Sequence, residues 1–172
     1  MVVLKLGPLG EYDKIDHWEE TGHDKISHIF VTFDDSSVTS IQFGYVENGD
    51  LVMSKKYGSD EENQSTRILR LNHESEFVIG ISGEMRNCNI SSLTFHTNEG
   101  KHEVLCAGSE SDRTRPERFE FLAEIHDRRE FGGFFGSCDY CSLCSIGLYL
   151  KPILSSDTLL SKKYDPVLFW LL

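Results

Sequence analysis

The chain has 172 residues, of which 39% are apolar and 11% are aromatic, and its formal net charge is −11. A chain of this length and apolar content can bury a core as one domain, which excludes wholesale disorder. The negative charge argues against a nucleic-acid partner, because phosphate contacts need a face rich in lysine and arginine. It also argues against electrostatic docking on anionic lipid, so we expect no membrane partner.

The sequence shows no signal for export or for membrane insertion. The first residues, from Met1 to Pro8, lack a basic region followed by a long apolar stretch. No run approaches the roughly 18 apolar residues of a membrane-spanning helix. The chain has five cysteines, and this odd number fits reduced thiols better than a disulfide framework. We therefore predict a protein of the cytoplasm, or of the cytoplasm and nucleus, that is not secreted.

The predicted elements are short β-strands rich in Val, Ile, Phe, Tyr and Thr. Examples in chain order are Ile26–Phe33, Thr39–Tyr45, Asp50–Ser54, Thr66–Leu71, Phe77–Ser82, Ser91–Thr97, Arg118–Phe121 and Ile146–Leu150. Turns with Asn and Gly at 47–50 and 98–101 predict hairpins. No long amphipathic helix is visible, so the pattern predicts an all-β domain.

Short segments of the chain recur with a nearly constant period. Residues 40–43 (SIQF) return as 92–95 (SLTF) and as 145–148 (SIGL), at offsets of 52 and 53 residues (92 − 40 = 52, 145 − 92 = 53). Each copy follows another apolar run, at 28–31, 80–83 and 133–136. A fixed period indicates one supersecondary unit present three times. Together with the short strands it favours an antiparallel sandwich, barrel or prism.

The segment from Trp18 to Val31 resembles the opening of a jacalin-related lectin domain. Further stretches agree with this family in order and spacing: 40–43 with Asn48-Gly49, 76–83, 90–98, and 132–136 followed by 145–152. The resemblance covers about residues 1–152 and leaves 153–172 as a short C-terminal tail. It implies the β-prism I fold, in which three four-stranded antiparallel sheets surround a pseudo-threefold axis. The repeat independently favours this architecture.

The resemblance implies metal-independent carbohydrate binding, of mannose or glucose type, with no cofactor. Because the sequence contains no nucleophile elbow, phosphate-binding glycine loop or paired-carboxylate motif, we also predict that the protein is not an enzyme. Single-domain plant members of the family include defence proteins. A second interpretation therefore stays open, in which the sugar site has degenerated and the partners are other proteins or further copies of the chain.

The family binds sugar through a glycine-rich turn near the N-terminus and a Gly-x-x-x-Asp loop before the last strand. The positions in this chain that match these loops are Asp13, Lys14, Asp139, Tyr140, Cys141, Ser142 and Cys144. Cys144 stands where the family has its Asp acceptor, and Tyr140 stands where it has Gly. A neutral thiol is a weak acceptor, which implies a weakened site. The loop also carries about one extra residue, so Asp139 is an alternative acceptor.

The loop from Cys138 to Cys144 contains cysteines at C-x-x-C-x-x-C spacing, which invites comparison with zinc and iron–sulfur sites. A metal would need a fourth ligand from elsewhere in the chain. The alternatives are a redox-labile thiol pair, or cysteines without any such role in a loop released from sugar binding. We predict that the protein holds no stoichiometric metal.

Overall fold

The computed structural model describes residues 3–13, 16–23, 25–106 and 115–153, which form β-strands and one short 3₁₀ turn. The strands are β1 (Leu4–Gly10), β2 (Asp16–Thr21), β3 (Ile26–Phe33), β4 (Val38–Glu47), β5 (Asp50–Met53), β6 (Tyr57–Gly58), β7 (Ser65–Arg70), β8 (Val78–Arg86), β9 (Asn89–Thr97), β10 (Lys101–Leu105), β11 (Glu117–Leu122), β12 (Phe131–Cys138) and β13 (Leu143–Leu150). The 3₁₀ turn spans Arg128–Glu130. Within these ranges no helix is long and apolar enough to cross a membrane.

The strands form three antiparallel sheets, each built around one central hairpin. The first sheet has the order β1-β13-β12-β2, the second β5-β4-β3-β7, and the third β10-β9-β8-β11. The central hairpins, β12–β13, β3–β4 and β8–β9, are the three segments that recur in the sequence. The second sheet departs from the predicted four strands because β6, of only two residues, also pairs with Ser40 and Ile41 of β4.

The threefold relation is visible in one hydrogen bond that occurs in each sheet. The backbone N–H of Ser59 donates to the carbonyl of Thr39 (2.9 Å), that of Cys106 to Ser91 (3.1 Å), and that of Glu11 to Cys144 (3.0 Å). The three acceptors are separated by 52 and 53 residues, which are the offsets of the repeat (91 − 39 = 52, 144 − 91 = 53). The predicted all-β, β-prism architecture is therefore confirmed.

The core lies between the three sheets, and one phenylalanine from each sheet contributes to its centre. Phe43, Phe95 and Phe134 are fully buried. The Phe43 and Phe134 rings stack with centroids 4.6 Å apart, and Phe95 meets Phe134 edge to face at 5.8 Å. Burying a side chain of this size stabilises the fold by roughly 1.5–3 kcal/mol. The three sheets are thus held together mainly by apolar packing on the axis.

Each of the eight strands named from the sequence is present, but β1, β2, β6, β10 and β12 were not among them; β12 contains the apolar run at 133–136. β1 (LKLGPLG) contains two glycines and a proline, which weaken a strand pattern. β2 (DHWEET) is almost entirely polar and buries only Trp18 and Glu20. β10 lies at a sheet edge and buries only Val104. β1 and β2 pair with β13 and β12, far along the chain, whereas β10 pairs with the adjacent β9; the weak β signal of all three comes from their own composition.

Candidate functional site

The two loops that correspond to the family's sugar-binding loops meet at one end of the prism. One is the segment after β1, of which Glu11, Tyr12 and Asp13 are described; Lys14 lies outside the described residues. The other is the turn between β12 and β13. Besides the backbone bond from Glu11 to Cys144, the hydroxyl of Ser137 donates to the Glu11 carbonyl at 2.8 Å. The structure therefore brings the described part of the first loop against the turn between β12 and β13.

Gly10 makes this junction possible. Its φ is +98°, and a Cβ on this residue would overlap the carbonyl oxygen of Cys144. Only glycine adopts this conformation readily and leaves room for the opposing carbonyl. The backbone of the first loop can therefore approach β13 closely enough for the N–H of Glu11 to bond to Cys144.

Asp139 holds the turn between β12 and β13 together. Its Oδ1 accepts hydrogen bonds from the backbone N–H groups of Cys141 (2.9 Å) and Ser142 (2.8 Å) and from the Ser142 hydroxyl (3.1 Å). Burial alone would raise the pKa of Asp139, but these hydrogen bonds hold it below its ordinary value. The carboxylate is ionised at neutral pH, and one of its oxygens is fully used by the turn.

The same turn occurs in the second sheet, 105 residues earlier in the chain (139 − 34 = 105). There the Oδ1 of Asp34 accepts from the backbone N–H groups of Ser36 and Ser37, both at 2.7 Å. These bonds likewise hold the pKa of Asp34 below its ordinary value, against the opposing effect of burial. A turn of this kind therefore occurs in two of the three sheets, and sugar binding is not needed to explain it.

Cys144 occupies the position of the family's acceptor, and its side chain is buried, with 4% exposure. Burial raises the pKa of the thiol, and the neighbouring Asp139 carboxylate also favours the protonated form. The thiol lies 3.7 Å from the Ser142 hydroxyl. A protonated thiol is a weak donor and a weak acceptor, so this position lacks an anionic group that could bind two sugar hydroxyls.

The remaining predicted site residues differ in exposure. Tyr140 has 80% of its surface exposed at the tip of the turn, Cys141 and Asp13 are exposed, and Ser142 is half-buried. Cys138 points into the structure, and burial raises the pKa of its thiol. In the described part of the chain no three Cys, His, Asp or Glu side chains are grouped so as to hold a metal ion.

A cleft of about 550 Å³ lies beside the turn. One wall is formed by residues 138–140 and the other by residues 56–61, with Asp16 between them. Tyr57 in the second wall is rigidly placed, because its ring stacks on Trp18 (centroids 4.6 Å apart) and its hydroxyl donates to the buried Glu20. Asp60 and Glu61 belong to an acidic run whose sequence does not indicate that it faces the turn.

Tyr12 is a residue of this region that the sequence did not single out. Its ring lies on the outer face of the first sheet, with centroids 4.4 Å from His17 and 5.8 Å from Phe135. The ammonium group of Lys5 lies 4.9 Å from the centroid of Phe135 in the same cluster. Where the family has glycine, this chain therefore packs an aromatic side chain against the sheet. The only sequence signal for this aromatic cluster is the alternation of side chains along β12, which places Phe134 and Phe135 on opposite faces of the sheet.

Comparison with known proteins agrees with this geometry. The model of the jacalin-like lectin domain matches residues 6–149. Jacalin-related lectin 24 of Arabidopsis thaliana is 44% identical over 172 residues, covering 96% of this chain and 75% of the relative. Protein RESTRICTED TEV MOVEMENT 1 of the same plant is 34% identical over 160 residues, covering 87% of each chain.

Among solved structures, a mannose-specific jacalin-related lectin from Morus nigra in complex with mannose superposes with a TM-score of 0.65. It is 21% identical and the match covers 87% of this chain and 95% of the lectin, which is evidence for the fold alone. The matched domain extends across all three sheets and both loops of the site. The chain therefore belongs to the jacalin-like lectin family, whose members are non-catalytic carbohydrate-binding proteins.

Proposed function

We propose that this chain binds mannose- or glucose-type glycans without metal, weakly, at the prism end where Glu11 meets Cys144. The observation that carries this proposal is the junction of the two loops through the Glu11–Cys144 and Ser137–Glu11 hydrogen bonds. A sugar hydroxyl both donates and accepts, so a site needs fixed backbone donors and a fixed acceptor close together. The mulberry lectin with the same fold is described as mannose-specific, which supports this choice of sugar.

The weakness of the site follows from Cys144. A hydrogen bond to a charged group contributes about 1.5–3 kcal/mol, so replacing a carboxylate by a protonated thiol costs roughly ten- to more than a hundredfold in affinity. Asp139 is the nearest replacement. Its Oδ1 is committed to the turn, so Oδ2 is the oxygen that we assign to the sugar.

Calorimetric titration with mannose and a mannose oligosaccharide tests the proposal. The informative pair is Asp139→Asn and Cys144→Asp/Asp139→Asn, because the Cys144 side chain lies next to the Asp139 carboxylate and two adjacent carboxylates would repel. Asparagine keeps the Oδ1 acceptor of the turn and removes the charge. Asp34→Asn is the matched control, since it makes the same change in the equivalent turn.

We expect millimolar or weaker binding by the wild type and weaker binding still by Asp139→Asn. The double variant should bind at least about tenfold more tightly than Asp139→Asn. Asp34→Asn should behave as the wild type. Absence of binding by every variant, on a glycan array as well as by calorimetry, would refute the carbohydrate proposal.

The second candidate is a protein-interaction or defence role in which the sugar site is no longer used. It is favoured by the buried, protonated thiol at the acceptor position and by the 34% identity to Protein RESTRICTED TEV MOVEMENT 1. This role, a location in the cytoplasm and the boundary between a domain of residues 1–152 and a tail of residues 153–172 remain predictions. This second role would be favoured if the wild type does not bind mannose and Cys144→Asp/Asp139→Asn does not bind it either.

A further inference from the structure

An open cleft of about 750 Å³ lies beside the turn between β4 and β5, at the end of the prism opposite the sugar loops. β4 starts after the turn held by Asp34, which is equivalent to the turn held by Asp139, and it ends at Glu47. The turn that follows is therefore at the other end, and we call this cavity the basal cleft. Its volume suits a small ligand. The charged side chains in and beside it form two groups.

The first group lies around His23 and is rich in carboxylates. The Nδ1 atom of His23 lies 2.5 Å from the Glu47 carboxylate, and its Nε2 lies 3.9 Å from the buried Glu20 carboxylate. The ring stacks on Tyr45 with centroids 4.1 Å apart. Asp50, which is exposed, lies opposite Glu47 in the register of β4 with β5. The imidazole on this side is already close to two carboxylates, so an anion would be repelled here.

The second group is cationic and is centred on His28. Arg70 lies opposite His28 in the register of β3 with β7, and His73 follows in the loop after β7. Burial, and then the charges of Arg70 and His73, hold the pKa of His28 below its ordinary value. Lys25 adds an ammonium group. The Glu74 carboxylate lies 3.5 Å from Lys25 and 3.1 Å from Nε2 of His73. Apart from Arg70, all of these side chains line the cleft.

This second group has an excess of positive charge. The formal charges of Lys25 and Arg70 outweigh that of Glu74, and among the described residues no carboxylate forms an ion pair with Arg70. Each imidazole that takes up a proton adds one further positive charge. The chain as a whole has a formal net charge of −11, so a group of cations that repel one another is unusual in it. An anion bound between them would relieve this repulsion.

The hydrogen bonds of His28 determine which of its ring nitrogens takes up the proton. The Ser27 hydroxyl donates to the Gly44 carbonyl at 3.2 Å and lies 2.9 Å from Nδ1 of His28. Because a hydroxyl has one proton to donate, it accepts from the Nδ1–H group, and Nε2 carries the lone pair of the neutral ring. Protonation therefore turns Nε2 into a hydrogen-bond donor. A bound anion favours this protonated form.

We propose that the basal cleft binds a tetrahedral oxyanion, a phosphate or sulfate group, between His28, Arg70 and His73. Arg70 supplies a planar guanidinium with several donors, which suits such a group, and His28 donates from Nε2 when it is protonated. Binding is linked to proton uptake, so it strengthens as the pH falls through the range in which histidine titrates. The cleft is larger than the anion alone, so a small phosphate monoester also fits. The site is independent of carbohydrate binding at the sugar loops.

Calorimetric titration of the full chain with sodium sulfate at pH 6 and pH 8 tests this proposal, because the charge of sulfate is constant over this range. Sodium chloride holds the ionic strength constant. The variants are Arg70→Gln and His28→Gln. Arg67→Gln is the matched control: it removes the same charge from the same strand, but the alternation along β7 places residue 67 on the other face of the sheet. Circular dichroism confirms that each variant keeps the β fold.

We expect the wild type to bind sulfate at pH 6 at least about tenfold more tightly than Arg70→Gln, which is the loss expected for a charge-assisted hydrogen bond. Arg67→Gln should behave as the wild type. Binding by the wild type should weaken several-fold at pH 8, and this difference should shrink in His28→Gln. By linkage, saturating sulfate should raise the pKa of His28 measured by NMR, but not that of His96 in the third sheet.

Titration with inorganic phosphate and with glycerol 3-phosphate at pH 6 distinguishes the two sources of the anion. Equal affinities would support a site for the free anion, and tighter binding of glycerol 3-phosphate would support a site for a monoester. Three results would overturn the proposal: no binding of sulfate by the wild type at pH 6, equal affinity at pH 6 and pH 8, or a loss in Arg67→Gln as large as that in Arg70→Gln.

Discussion

The turn capped by Asp139 provides a quantitative test of how the site loop is held. The Oδ1 of Asp139 accepts three hydrogen bonds from Cys141 and Ser142, at 2.8 to 3.1 Å. Each such bond contributes about 0.5–1.5 kcal/mol net, but the turn is partly exposed and water can replace part of the loss. We therefore expect Asp139→Ala to lower the free energy of unfolding by about 1–2 kcal/mol, which is typical of a lost cap. Asp139→Asn keeps the acceptor without its charge and should cost about half as much, since charge-assisted bonds are roughly twice as strong.

The pH dependence of this effect has a defined sign. The pKa of Asp139 is held below its ordinary value in the folded state, so its charge stabilises the fold fully above the unfolded pKa of about 3.9. This contribution is lost as the pH falls through the folded pKa. Urea unfolding of wild type and Asp139→Asn should therefore give a difference at pH 7 that narrows progressively as the pH falls below the unfolded pKa of about 3.9.

The equivalent turn is the internal control, because Asp34→Asn should reproduce both the size and the pH dependence of the effect. An Asp139→Ala variant within about 0.3 kcal/mol of wild type at pH 7 would refute the assignment of Asp139 as the residue that holds the turn. A difference between wild type and Asp139→Asn that does not change with pH would refute the role of its charge.

Two further predictions concern the core and the thiols. Phe134→Ala should lower the free energy of unfolding by about 3–5 kcal/mol, because Phe134 is fully buried against Phe43 and Phe95; a loss below about 1 kcal/mol in urea unfolding would contradict the axial core. Burial, aided by Asp34, raises the pKa of the Cys106 thiol to about 11, so iodoacetamide at pH 8 should alkylate the exposed Cys141 well before Cys106. Mass spectrometry of tryptic peptides over time measures the order, and equal rates would contradict the assigned burial of Cys106.

The strand pattern and the repeat determine the fold because both are local properties of the sequence. The alternation of Ile41, Phe43 and Tyr45 places their side chains on one face of β4, and all three are buried in the core. The period of 52–53 residues places equivalent hairpins in three sheets, which favours a prism, and the resemblance to jacalin-related lectins implies the same fold. The turn at 48–49 was also predicted, and Asn48 and Gly49 both adopt positive φ there.

Only the tertiary structure decides the chemistry of the candidate site, because the groups that meet there are far apart in sequence. The thiol of Cys144 is protonated because it is buried beside Asp139, and burial depends on the packing of three sheets. Gly10 is required because the Cys144 carbonyl lies against it, and these two residues are far apart in the sequence. Composition and periodicity carry no information on such contacts. They determine which residues face the core, whereas the position of each loop side chain depends on the neighbours that the fold brings to it.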